Sequence, residues 1–154
     1  MLSFSPRTLR RLSASLWLVV GSTLFSVGLR LISRSVQAEF TETPFMSALS
    51  LISDSKLMLG MLVGATGVLI GCFKGHFALG KSADRLHVYY TTLPNPSPIY
   101  RLYPLPYYAL LAVMMSLGML LNFLQTPSDI RGFIDITIGV ALLVGGYRLW
   151  TMKG

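Results

Sequence analysis

Residues 57–73 read LMLGMLVGATGVLIGCF, an uncharged run closed by Lys56 on one side and Lys74 on the other. A helix needs about 20 predominantly apolar residues to cross a bilayer, and this run with its flanks supplies them. Gly60, Gly64, Gly67 and Gly71 are spaced by four, three and four, which puts them on one helix face. That face carries two small-xxx-small pairs, the pattern that lets a second helix backbone approach where lipid gives no hydrophobic drive for association.

Three more apolar stretches lie outward from this one: Leu12 to Ile32, Tyr107 to Leu124 and Ile134 to Trp150. None alternates in and out as a barrel strand does, so helices are the elements that satisfy the backbone in lipid. The composition agrees, with 53% hydrophobic and 12% charged residues and a mean hydropathy of +0.61. The expected fold is all-α: a polytopic four-transmembrane-helix bundle forming one membrane domain over residues 1–154. The longest connection, residues 74–106, is too short for a separate soluble domain of ordinary size.

Orientation follows from the basic residues, which cytoplasmic connections retain. With both termini cytoplasmic, that side holds Arg7, Arg10, Arg11, Lys74, Lys81, Arg85, Arg101, Arg148 and Lys153, and the outer side only Arg30, Arg34, Lys56 and Arg131. Glu39, Glu42, Asp54 and Asp129 also fall outside, so the net charge of +7 belongs to the cytoplasmic face. A pI of about 9.9 is then a property of membrane topology, with no nucleic-acid partner implied. The expected location is the cell (inner) membrane. The Arg-rich opening followed by Val36-Gln37-Ala38 also imitates a cleaved signal peptide, but the apolar run exceeds the usual h-region and Arg30 and Arg34 interrupt it. The acid-free start, MLSFSPRTLRRLSAS, keeps an organellar inner membrane as the alternative.

Thr43-Pro44 and Thr126-Pro127 both read as N-cap and first helical residue. Ser26-Val27-Gly28 is echoed by Ser116-Leu117-Gly118, and Gly67-Val68 by Gly139-Val140, which suggests two tandem helical hairpins. Gly132, Asp135, Gly139 and Gly146 share a face, so Asp135 is expected to look toward protein. An acid in a span costs up to about 3 kcal/mol at mid-membrane. Arg30 and Asn122, at the same depth, are its expected partners in an intramembrane polar cluster. A structural clasp is the plain reading, and an ion or proton site the sharper one.

The connection from Lys74 to Pro106 is basic and aromatic. Its first part can extend the preceding helix, placing Lys74, Lys81 and Arg85 on one face against anionic lipid headgroups or a partner. Tyr89, Tyr90, Tyr100, Tyr103, Tyr107 and Tyr108 suit the half-wet interfacial level. Pro94, Pro96 and Pro98 enforce an extended return.

Catalytic signatures are missing from the sequence. Cys72 is the one cysteine, which excludes an internal disulfide relay. His76 and His87 stand without neighbouring ligands and outside the apolar runs, so no metal or haem site is indicated and no cofactor is expected. Neither a phosphate-binding glycine loop with Lys-Ser/Thr nor a GxSxG elbow occurs. The expected function is a non-catalytic accessory subunit or assembly factor of a membrane complex, bound to the bilayer and to a membrane-protein partner or a second copy of itself. The alternative is a small homo-oligomeric transporter or channel using Asp135.

Overall fold

The computed structural model describes residues 3–39, 42–52, 55–94, 97–98 and 102–152. Asp54, Pro96, Tyr100, Arg101, Lys153 and the side chain of Tyr107, all named above, lie outside the described residues. Helices dominate: α1 (Pro6–Gln37), α2 (Pro44–Leu49), α3 (Lys56–Lys74), α4 (Gly80–Thr92), α5 (Leu105–Phe123) and α6 (Ser128–Thr151). A π-turn, Gly75–Leu79, joins α3 to α4 without a break. Two short strands, β1 (Ser3–Phe4) and β2 (Ser97–Pro98), pair antiparallel beside the start of α1.

α1 begins where Ser5 accepts the Thr8 N–H on its side chain and Pro6 occupies the first turn, whose N–H groups have no helical partner. Its 32 residues span about 48 Å, longer than a hydrocarbon core. Among the described residues three helical stretches are long and apolar enough to cross a membrane: Pro6–Gln37, the continuous Lys56–Thr92, and Ser128–Thr151. Only 22%, 28% and 44% of their apolar windows are buried inside the protein. Most of the apolar surface therefore faces outward, which water does not tolerate over such contiguous areas and lipid does.

α6 is the central helix. It runs antiparallel to α1: Gly21 faces Gly139, Gly28 faces Gly132, and Ala14 faces Gly146. It runs parallel to α3 and the π-turn: Gly67 meets Phe133, Gly71 meets Thr137, and Gly75 meets Ala141. The proximal end of the bundle, where α1 begins and α6 ends, holds a core of Leu9, Ala14, Leu86, Tyr90, Tyr103 and Leu149. At the distal end Ile32, Met46, Val63, Ile136 and Val140 form the second core.

The buried stripe of the second long helix runs Gly67, Gly71, Gly75, then steps five residues to Gly80, Ala83, Leu86 and Tyr90. That step of five is the π-turn. One extra residue rotates everything beyond it by about 100°, keeping Gly80 on α6. The same rotation separates Lys74 from Lys81 and Arg85, which a plain α-helix would align; all three are exposed.

The caps differ in part from the sequence reading. Thr43 is the N-cap residue of α2 with Pro44 following, but its side chain makes no capping bond. α2 ends at Leu49, so Thr43-Pro44 opens a separate short helix, and α3 starts afresh at Lys56. α6 starts one residue later than Thr126-Pro127 implies, with Pro127 itself at the N-cap position.

α5 ends in a Schellman closure, with Gln125 N–H donating to Asn122 O and Thr126 N–H to Leu121 O, both at 3.2 Å. Gln125 takes the left-handed conformation this requires, at φ 48°. A side chain there costs about 1–2 kcal/mol, part of which glycine returns as unfolded-state entropy. Gln125→Gly is therefore expected to stabilise by up to about 1 kcal/mol, read as a higher unfolding midpoint in detergent; an unchanged or lower midpoint counts against the strained cap.

Candidate functional site

Three features could carry function: the glycine seams on α6, the groove between α1 and α3, and the polar groups at the two bundle ends. The seams are the closest helix contacts. A Cβ placed on Gly139 would stand 2.7 Å from Phe25 N and 2.8 Å from Gly21 O, and one on Gly28 would stand 2.9 Å from Gly132 O. These obstacles are backbone atoms, so the helices meet main chain to main chain. Gly21 and Gly28 on one helix and Gly132, Gly139 and Gly146 on the other recur every seven residues, the interval that keeps one seam facing its partner.

The α3 stripe divides. A Cβ on Gly71 would lie 2.7 Å from Thr137 O, and Gly67 packs on Ile136 and Phe133, both on α6. Gly60 faces α1 instead, at Val36. Gly64 meets nothing within 4 Å. It opens onto an apolar groove of about 530 Å³ lined by Leu29, Ile32, Val36, Met61 and Val68.

At the distal end the structure joins Asn122 and Asp135 through Arg131 and leaves Arg30 out. Asn122 Oδ1 accepts from Arg131 at 2.9 Å, and the Arg131 guanidinium lies 3.9 Å from the Asp135 carboxylate one turn on. Arg30 is exposed. Spacing along one helix favours the Arg131 pair over a cross-helix one, because residues four apart are neighbours. Such a pair is worth a few tenths of a kcal/mol, so Asp135→Asn is expected to move the unfolding midpoint by less than about 0.5 kcal/mol. A loss several times larger means Asp135 has a structural role that this geometry does not hold.

Among the described residues the fully buried acid is Asp129, at 0% exposure. Its Oδ2 accepts the Phe45 and Met46 N–H groups at 2.7 and 3.2 Å, and Oδ1 accepts from Ile130 N–H at 2.8 Å. Asp129 thus supplies from α6 the cap that Thr43 does not give α2. Beside it, the hydroxyls of Ser35 and Ser128 meet at 2.8 Å and tie the end of α1 to the start of α6. The only sequence hint was an acid just after a proline, with its partners more than eighty residues away.

At the proximal end Arg148 of α6 donates to Asp84 of α4 at 2.9 Å, over Gly80, whose absent side chain leaves room for the guanidinium. Both partners are about half exposed, so Asp84→Asn is expected to cost less than about 1 kcal/mol, a loss that shrinks in high salt. A loss that salt leaves unchanged would point to packing and not to charge. The tyrosines depart from the interfacial reading. Tyr90 and Tyr103 are core residues at 2% and 6% exposure, and Tyr90 donates to Leu102 O. Burial pushes the Tyr103 phenol up from its ordinary value. Tyr108 remains partly exposed. Comparison with known proteins returns no match to a family model, to a curated protein or to a solved structure.

Proposed function

We propose that the protein is a non-catalytic, multi-pass membrane subunit of four transmembrane helices that holds a partner's transmembrane helix in the groove between α1 and α3. The observation that carries this reading is Gly64. Every glycine around it on α3 is used inside the bundle, whereas Gly64 lies open at an apolar groove. A groove floored by glycine offers a second helix close backbone approach, which is what association in lipid requires.

The fourth crossing is supported by chain direction. α3 and α6 run parallel, so the chain must return from the proximal end, where α4 stops, to the distal end, where α6 starts. Its helix is α5, whose 19 residues cover about 28 Å, the thickness of a hydrocarbon core. Leu105, Met119 and Phe123 on it are all more than 60% exposed, as lipid-facing residues are. Four crossings put both termini on one side, and the excess of Lys and Arg makes that side cytoplasmic, in a cell membrane. The tandem-hairpin reading has weaker support, since Gly28 is packed on α6 while its counterpart Gly118 meets nothing within 4 Å. Transport is not adopted, because Asp135 lines neither the groove nor the cleft at the proximal end.

The test is Gly64→Leu, with gentle extraction from native membranes followed by native mass measurement. The variant should keep its unfolding midpoint and lose its stoichiometric partner. A partner that is a second copy would appear as a multiple of the 16.9 kDa chain, lost in the same way. An assembly that survives Gly64→Leu would contradict the reading.

A further inference from the structure

At the proximal end lies a buried guanidinium with no counter-ion among the described residues. Arg10 is only 8% exposed, and its Nε has no hydrogen-bond partner. Its Nη1 lies 3.2 Å from His87 Nδ1. Among the described residues no carboxylate pairs with Arg7, Arg10 or Arg11: Asp84 is engaged by Arg148, Asp135 sits beside Arg131, and Asp129 is at the distal end. Burying a guanidinium without an anion is strongly unfavourable, so such a group is ordinarily found beside one.

Arg10 opens onto a cleft of about 560 Å³ between the first turn of α1 and the last turns of α4. Arg7, Ser5, His87, Tyr90 and Thr91 line the rest of it. A guanidinium can only donate, so His87 Nδ1 accepts from Arg10, and the ring then carries its proton on Nε2 as a further donor. The N-terminus of the 32-residue α1 adds the positive end of its dipole. The cleft therefore combines two guanidinium groups, one of them buried, with a histidine ring and a helix N-terminus; the Tyr90 and Thr91 hydroxyls already donate to Leu102 O and Val88 O. Its volume exceeds that of a lone anion, leaving room for a substituent.

We propose that this cleft binds a phosphate group, with Arg10 as its principal cation, Arg7 as the second and His87 as a further donor. Donors supplied by two elements, Arg7 and Arg10 on α1 and His87 on α4, suit the several oxygens of a tetrahedral phosphate better than the two of a planar carboxylate. The site lies about one turn outside the apolar run that starts at Leu12, the level at which headgroups sit. The phosphate can thus belong to a lipid monoester or to a soluble molecule.

The experiment uses the full chain in phosphatidylcholine nanodiscs and reads the thermal unfolding midpoint. Inorganic phosphate is titrated against chloride at equal ionic strength, and in parallel discs containing phosphatidic acid are compared with discs containing phosphatidylglycerol. A saturable rise of roughly 5 °C is expected with at least one phosphate probe. A rise with inorganic phosphate assigns a soluble ligand, and a rise with phosphatidic acid alone assigns a lipid headgroup. Arg10→Gln should abolish the rise. Arg7→Gln, at an exposed position that folding does not need, should raise the half-saturating concentration about fivefold. Lys81→Gln, on α4 but outside the cleft, should leave the rise intact. The proposal is overturned if neither probe gives a rise, if chloride or phosphatidylglycerol gives the same rise, or if Arg7→Gln responds like the unsubstituted protein.

Discussion

Gly139→Leu is expected to separate α1 from α6 and to unfold the bundle or lower its midpoint by an amount no other single substitution reaches. Even Gly139→Ala introduces a Cβ 2.7 Å from Phe25 N and 2.8 Å from Gly21 O. Backbone cannot swing aside as a side-chain tip does, so the helices must part by several tenths of an ångström along the whole seam. Overpacking of this kind costs about 1–3 kcal/mol for one methyl, and a leucine exceeds that range. Lipid offers no compensating drive for association, so the dispersion attraction given up along the seam is not recovered elsewhere. Gly21→Ala should cost a similar amount, because its Cβ would meet Gly139 O at 2.8 Å. The double substitution should cost less than the sum, since one separation accommodates both methyls. Gly64→Ala is the control, with open space around it and no loss expected. Reversible unfolding in mixed micelles measures all five. Equal effects of Gly64→Ala and Gly139→Ala would mean that helix propensity, and not the seam, governs these positions.

Asp129→Ala is expected to produce the second largest loss, about 2–5 kcal/mol. The substitution removes the acceptor from two α2 N–H groups, and each buried donor left unpaired costs about 1–3 kcal/mol. Asp129→Asn keeps one oxygen but loses the charge that favours a helix N-terminus, and should cost roughly half as much. Faster amide exchange at Phe45 and Met46 should accompany the loss, locating it at α2. If Asp129→Ala unfolds within about 0.5 kcal/mol of the parent, water or a neighbouring group already serves those amides, and the cap is not structural.

The apolar runs show directly where the helices lie, because length and hydropathy are local properties. Leu57 to Phe73 falls within α3 and Ile134 to Trp150 within α6. Pairing is not local. Gly21 and Gly28 recur at the same seven-residue interval as Gly132, Gly139 and Gly146, but nothing in either helix alone says that the two sets face each other. Attention to Asp135 over Asp129 has the same origin. An acid inside an apolar run is conspicuous, whereas the worth of Asp129 depends on Phe45 and Met46, which only the fold brings near. The π-turn is equally hidden. No residue type marks it, and it becomes visible only where Gly75 and Gly80 both reach α6 across a step of five. Tyr90 and Tyr103 have interfacial side chains by type, yet Tyr90 lies on the buried face of α4 and shares the proximal core with Tyr103.

In the proposed topology α5 crosses the membrane, returning the chain from the end of α4 to the start of α6. Labelling by a membrane-impermeant maleimide tests it most directly, using single-cysteine variants made on a Cys72→Ser background in sealed vesicles of known orientation. Ser5→Cys, Leu93→Cys and Met152→Cys should react from one side, and Ser47→Cys and Gln125→Cys only from the other. Leu93→Cys and Gln125→Cys reacting from the same side would remove α5 from the bilayer and contradict the four-crossing topology.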